Sequence, residues 1–153
     1  MSRFAPSRRI ARRAAVLATI GFGAIAIFQA VLAAGAPLGH AAWGGESAEL
    51  STGQRIGSVV SVIVWTCAAY VVLGRAGFWA RASDMRLFRW GTWFIAGISA
   101  ISALVNFASQ SRWENFIWGP IALILAVLCV TVARSTARDA PPPDERTVGR
   151  LDS

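Results

Sequence analysis

The stretch AAVLATIGFGAIAIFQAVLAA (residues 14–34) runs for 21 residues without a charged side chain, directly after Arg8-Arg9-Ile10-Ala11-Arg12-Arg13. A helix rises about 1.5 Å per residue, so about 20 apolar residues cross the hydrocarbon core of a bilayer. The basic flank, the apolar run and the small residues Ala34-Gly35-Ala36 also have the outline of a secretory signal. A signal's apolar region is only about 7–15 residues long. The greater length here predicts a retained transmembrane helix.

Three more runs of this kind follow, at residues 56–74, 91–108 and 116–133, and none contains Asp, Glu, Arg or Lys. Hydrophobic residues make up 55% of the chain and charged residues 15%. A soluble domain carries about 25% charged residues, and disorder needs low hydrophobicity. The expected fold class is therefore an all-α membrane protein, four transmembrane helices in a bundle. Residues 1–13 form a basic amino-terminal segment, 14–134 the transmembrane domain and 135–153 a disordered tail. In that tail, Pro141-Pro142-Pro143 cannot continue a helix.

The net charge is +7, and every basic residue is Arg. A pI near 11.4 would suit nucleic acid, but the arginines punctuate the apolar runs as topology signals do. Arg3, Arg8, Arg9, Arg12 and Arg13 precede the first run; Arg75, Arg81, Arg86 and Arg89 separate the second and third; Arg134, Arg138, Arg146 and Arg150 follow the last. The two remaining connections hold only Arg55 and Arg112. Positive charge stays inside, so both termini are expected in the cytoplasm, in a bacterial inner membrane. The partners expected are membrane lipids, with anionic lipid at the cytoplasmic face, and a protein partner or a second copy of the chain; nucleic acid is not expected.

Local signals place the helix ends. Ser51-Thr52-Gly53-Gln54 has capping-box spacing, with Gly74 as the stop of that helix. Asp84 fits an N-cap for the third helix. Ser111-Arg112-Trp113-Glu114 has a second capping box, and Pro120 implies a kink or a break at Gly119-Pro120. Rows of small residues predict helix contacts: Ala26, Ala30 and Ala34; Gly57 and Ser61; and Thr92, Ala96, Ser99, Ala103 and Asn106, with Gly97 and Ala100 beside them.

Chemistry is mostly excluded. A proton-coupled exchanger needs an embedded carboxylate, and the runs have none. His40 is the sole histidine, so one chain cannot hold a bis-His haem. Cys67 and Cys129 lie inside apolar runs and form no Cys-x-x-Cys pair. No catalytic residue, metal site or cofactor is expected. A membrane enzyme would have to rely on His40 with Glu46 or Glu49. The polar residues left over gather toward the outer end: Gln29, His40, Trp43, Asn106 and Glu114. Each has a plain role, as an interhelical amide, a turn residue, an interface anchor or a capping acid. Together they could instead line a ligand pocket beneath the Gly-rich segment from Gly35 to Gly45, which is too apolar for a free loop.

That segment (Gly35-x-Pro37-x-Gly39-His40-x-x-Trp43-Gly44-Gly45) and the run Asn106…Ser111-x-x-Glu114-x-x-x-Trp118-Gly119-Pro120 resemble patterns in an uncharacterised family of small bacterial four-helix integral membrane proteins. The resemblance implies the four-span plan and no activity, and it carries over no functional residue. The sequence therefore favours a non-enzymatic structural or accessory protein, with a carrier or sensor of a small apolar or amphipathic molecule as the alternative.

Overall fold

The structure is a computed structural model that describes residues 6–79, 82 and 85–135. Its helices are α1 (Arg8–Ala33), α2 (Thr52–Arg75), α3 (Arg86–Ala108) and α4 (Gly119–Arg134). A short 3-10 turn, Gly39–Ala41, lies between α1 and α2, and a π-helical turn, Glu114–Trp118, leads into α4. Together with that turn for the fourth, all 4 helices are long and apolar enough to cross a membrane. They form an all-α bundle in which α1 packs mainly on α2 and α3 on α4. Contacts of α1 with α4 and of α2 with α3 close the ring, and the α2–α3 seam is the loosest of the four.

The helix ends follow from local chemistry. The Ser7 hydroxyl accepts from the Ile10 N–H and caps α1. At its other end Gly35, at φ +97°, donates to the Leu32 carbonyl, and Ala36 donates to Val31. This is a Schellman closure, which needs a residue tolerant of positive φ. The α2 capping box forms as expected, with Ser51 and Gln54 bonded reciprocally. The expected stop at Gly74 is corrected: Gly77, at φ +80°, closes α2 by donating to Gly74 while Phe78 donates to Leu73. Gly74 is instead a packing residue, since a Cβ there would lie 2.3 Å from the Phe88 ring. Met85 sits at the N-cap of α3; Asp84, expected there, lies outside the described residues.

The Pro120 problem is solved by the π turn. The Gly119 N–H reaches back five residues to the Glu114 carbonyl, and Pro120 follows in the first turn of α4. A wider turn there moves the ring away from the carbonyl that it would strike in a regular helix, and Pro120 has no N–H to lose.

The core is built from small residues that let backbones approach: Ala11, Ala14, Ala15, Ala18, Ala68, Ala96 and Ala126, filled in by Phe22, Val72, Leu125, Cys129 and Val132. It concentrates in the half of the bundle that holds the start of α1 and the end of α4, here the terminal end. There the Arg12 guanidinium lies 4.4 Å from the Phe78 ring centre, and Tyr70 stacks on Trp79. The buried Arg75 donates from α2 to the Ala133 and Ser135 carbonyls at the end of α4. On α3 the expected row is buried at Thr92, Ala96, Ser99 and Ala103, whereas Gly97 and Ala100 are exposed. On α1 the expected row fails: Ala30 and Ala34 are exposed and Ala26 is only half-buried. The helices part toward this other end, and the row lies on the outer side of α1, opposite the fully buried Leu32. Large apolar side chains such as Ile20, Ile27, Phe94, Leu104, Ile124 and Val127 cover the outside, each at least 58% exposed, as lipid-facing helices require.

Candidate functional site: a covered cavity

Where the helices part, they line a partly open cavity of about 690 Å³ with walls from all four. Ile25, Phe28 and Gln29 come from α1, Ser61 and Trp65 from α2, Ser99, Ser102 and Asn106 from α3, and Ala122 and Leu125 from α4. Trp65, stacked on Phe22 at 5.3 Å between ring centres, separates the cavity from the core below. Ala42, Trp43 and Gly44 form its cover.

The cover is a folded loop and is bonded on several sides. Trp43, Gly44 and Gly45 all have positive φ (54°, 85° and 75°). For the two glycines this is free, but for Trp43 it costs about 1–2 kcal/mol. The indole offsets that strain. Its ring lies against Gly57, where a Cβ would approach within 2.5 Å, and its Nε1 donates to Ser58 Oγ at 3.2 Å. Gly57 is thus the seat of the cover rather than a helix contact. Gly39 closes the loop on itself, donating to the Ala48 carbonyl at 2.8 Å.

From the opposite side, Glu114 accepts from the Gly44 N–H at 2.9 Å and, with its other oxygen, from Ser109 Oγ. Ser109 Oγ in turn accepts from the Ser111 N–H at 3.1 Å. The capping box expected at Ser111–Glu114 is therefore replaced. Ser109 takes the N–H of Ser111, Ser111 Oγ donates to the His40 carbonyl, and the Glu114 carboxylate ties the cover down. Trp118 Nε1 adds a bond to the Ala41 carbonyl at 2.7 Å, its ring 4.8 Å from that of Phe28. On the far side Arg55 Nε donates to the Ala33 carbonyl at 3.0 Å, joining the start of α2 to the end of α1.

The structure thus brings together four of the five candidate pocket residues: Gln29, Trp43, Asn106 and Glu114 line one cavity. His40 does not. It is exposed, its Nδ1 bonds the Gly45 carbonyl at 2.9 Å, and its role is to hold the turn. Neither amide makes the interhelical bond that the sequence suggested. Asn106 Nδ2 donates to the Ser102 carbonyl of its own helix, and Gln29 Oε1 is buried with no partner. Ser99 Oγ, on a fully buried residue of the same wall, also lacks a partner. Unpaired buried polar atoms are costly and uncommon in folded proteins.

Among the wall residues, sequence reasoning gave no pocket role to Ser61, Trp65, Ser99, Ser102, Ser109 or Trp118. The spacing of Ser61 and Ser99 reads as helix contact, Ser102 and Ser109 carry no spacing signal, and Trp118 reads as an interface anchor until the loop that it bonds is placed. Glu114 is the sole ionisable side chain of the wall. Among the described residues no group of three or more His, Cys, Asp or Glu side chains could hold a metal ion. No protein family, curated protein or solved structure matches this chain.

Proposed function

We propose that this protein is a membrane-embedded binding protein, a carrier or sensor, for a small amphipathic molecule held in the covered cavity. The observation that carries the reading is the pair of unpartnered buried atoms, Gln29 Oε1 and Ser99 Oγ, on the wall of a cavity of ligand size. A bundle built only to present its surfaces has no use for such a hollow, and close packing would stabilise it more. For this reason the carrier reading overtakes the accessory role that the sequence favoured.

Orientation belongs to the same proposal. Arg8, Arg9, Arg12, Arg13, Arg86, Arg89 and Arg134 ring the terminal end, whereas Arg55 and Arg112 lie at the covered end. The positive-inside rule puts the terminal end in the cytoplasm, against anionic lipid, and the cover outside an inner membrane. The chemistry is binding rather than catalysis.

The test is native mass spectrometry of the protein extracted from its membrane. The expected result is a retained small molecule that is lost in both Asn106→Leu and Trp43→Ala, with helical circular dichroism unchanged. A wild-type protein that carries nothing, or variants that keep the molecule, would refute the proposal.

A further inference from the structure

Below the cavity, the loose α2–α3 seam opens into a second hollow of about 290 Å³. Ile63, Val64, Cys67, Ala68 and Val71 of α2 face Gly91, Phe94, Ile95 and Ile98 of α3 across it. No side chain there is charged, and Ile63, Val64, Cys67 and Phe94 are exposed, so the groove faces the surroundings of the bundle. Trp65 lines both spaces. One indole therefore divides the cavity from an apolar groove. From Ile63 to Val71 that groove runs about 12 Å toward the terminal end at 1.5 Å per residue.

The two spaces differ in chemistry. The groove is apolar throughout. The cavity wall offers both donors and acceptors: the Gln29 amide, whose buried Oε1 has no partner, carries donors on Nε2, Asn106 uses Nδ2 on Ser102 and keeps Oδ1 as an acceptor, and Glu114 is an acid. Among the described residues no Arg or Lys lines it. An anionic head would meet Glu114 with no cation to offset it, whereas a head bearing hydroxyl groups would donate to the acceptors.

We infer that the ligand is a single-chain lipid whose uncharged head bears hydroxyl groups, with the head in the covered cavity and the acyl chain leaving past Trp65 into the α2–α3 groove. The inference rests on the binding role proposed above and names its ligand class. It also gives the loosest seam of the bundle a purpose: the chain enters sideways from the bilayer.

Cys67 is a native reporter in the groove, because Cys129 is fully buried. The protein is placed in nanodiscs of phosphatidylcholine, whose head has no hydrogen-bond donor. The alkylation rate of Cys67 by N-ethylmaleimide and the melting temperature are then measured with 1-monopalmitoylglycerol, palmitate, 1-palmitoyl-lysophosphatidate or glycerol. Monopalmitoylglycerol is expected to slow alkylation about tenfold and to raise the melting temperature, and the anionic lipids and glycerol to do neither. The protection is expected to vanish in Gln29→Leu; should that variant not fold, the comparison of lipids on the wild type still decides. Equal protection by palmitate or lysophosphatidate overturns the head assignment. A raised melting temperature with Cys67 still reactive overturns the groove while leaving a cavity-binding protein. If no lipid acts but native mass spectrometry still finds a retained molecule without an acyl chain, the inference falls and the binding role stands.

Discussion

Glu114 shows how one side chain can carry more than its local spacing reveals. Ser111-x-x-Glu114 reads as a helix cap, yet the carboxylate bonds across to Gly44, 70 residues away in sequence. Removing a charged acceptor from a hydrogen bond typically costs about 1.5–3 kcal/mol. Glu114→Ala is therefore expected to lower stability by about that amount and to speed hydrogen exchange at the Gly44 amide. Glu114→Gln, which still offers an acceptor oxygen, should retain most of both. Slow exchange at Gly44 in Glu114→Ala would mean that the cover is held without it. At this scale the sequence was partly legible. It named Gln29 and Asn106 because polar groups in apolar runs are costly and stand out, and Trp43 and Glu114 because they lie in the connections at the same end. It grouped His40 with them because depth along the chain does not say which way a turn points its ring. It passed over Ser99 as a wall residue because a serine in a small-residue row looks the same whether it faces a helix or a hollow.

The helices were legible almost to their ends, because apolar length and capping chemistry are local properties. What escaped the sequence depended on neighbours. Gly74 and Gly77 are equally good stops in isolation, and only the Phe88 ring pressed on Gly74 separates them. This gives a contrast between glycines. Gly77→Ala forces a side chain to φ +80° and is expected to destabilise by about 1–2 kcal/mol. Gly97 lies mid-helix, and a methyl group added there would meet nothing within 4 Å, so Gly97→Ala is expected to stabilise by about 0.5–1 kcal/mol. Denaturation of the purified variants would show the opposite signs, and a loss at Gly97 would mean that the position meets a partner. Likewise Ala26, Ala30 and Ala34 are spaced for a helix contact, yet the alanines that α1 buries are Ala11, Ala14, Ala15 and Ala18. Which side of α1 meets its neighbours separates the two, and spacing alone does not give it.

For the whole molecule, the orientation rests on the arginine distribution and is tested by accessibility. In a background with Cys67→Ala and Cys129→Ala, a cysteine at the exposed Ser47 should react with an impermeant maleimide on intact cells, and one at the exposed Met85 only after the membrane is opened. Labelling of both from the same side would reject the four-span topology. The uneven distribution of packing has a mechanical meaning as well. The terminal end is cemented by alanine contacts, by the Arg12–Phe78 contact and by the bonds of Arg75, while the covered end is hollow. Each helix is then a lever with its fulcrum at the terminal end. α3 has 23 residues and is about 34 Å long, so a tilt of about 5° displaces its far tip by roughly 3 Å. Spin labels on Ser47 and Arg112 should therefore broaden or shift in separation far more on ligand release than labels on Met85 and Arg134. In such a tool the jaws open widely while the pivot scarcely moves, and small displacements at the base become large ones at the grip.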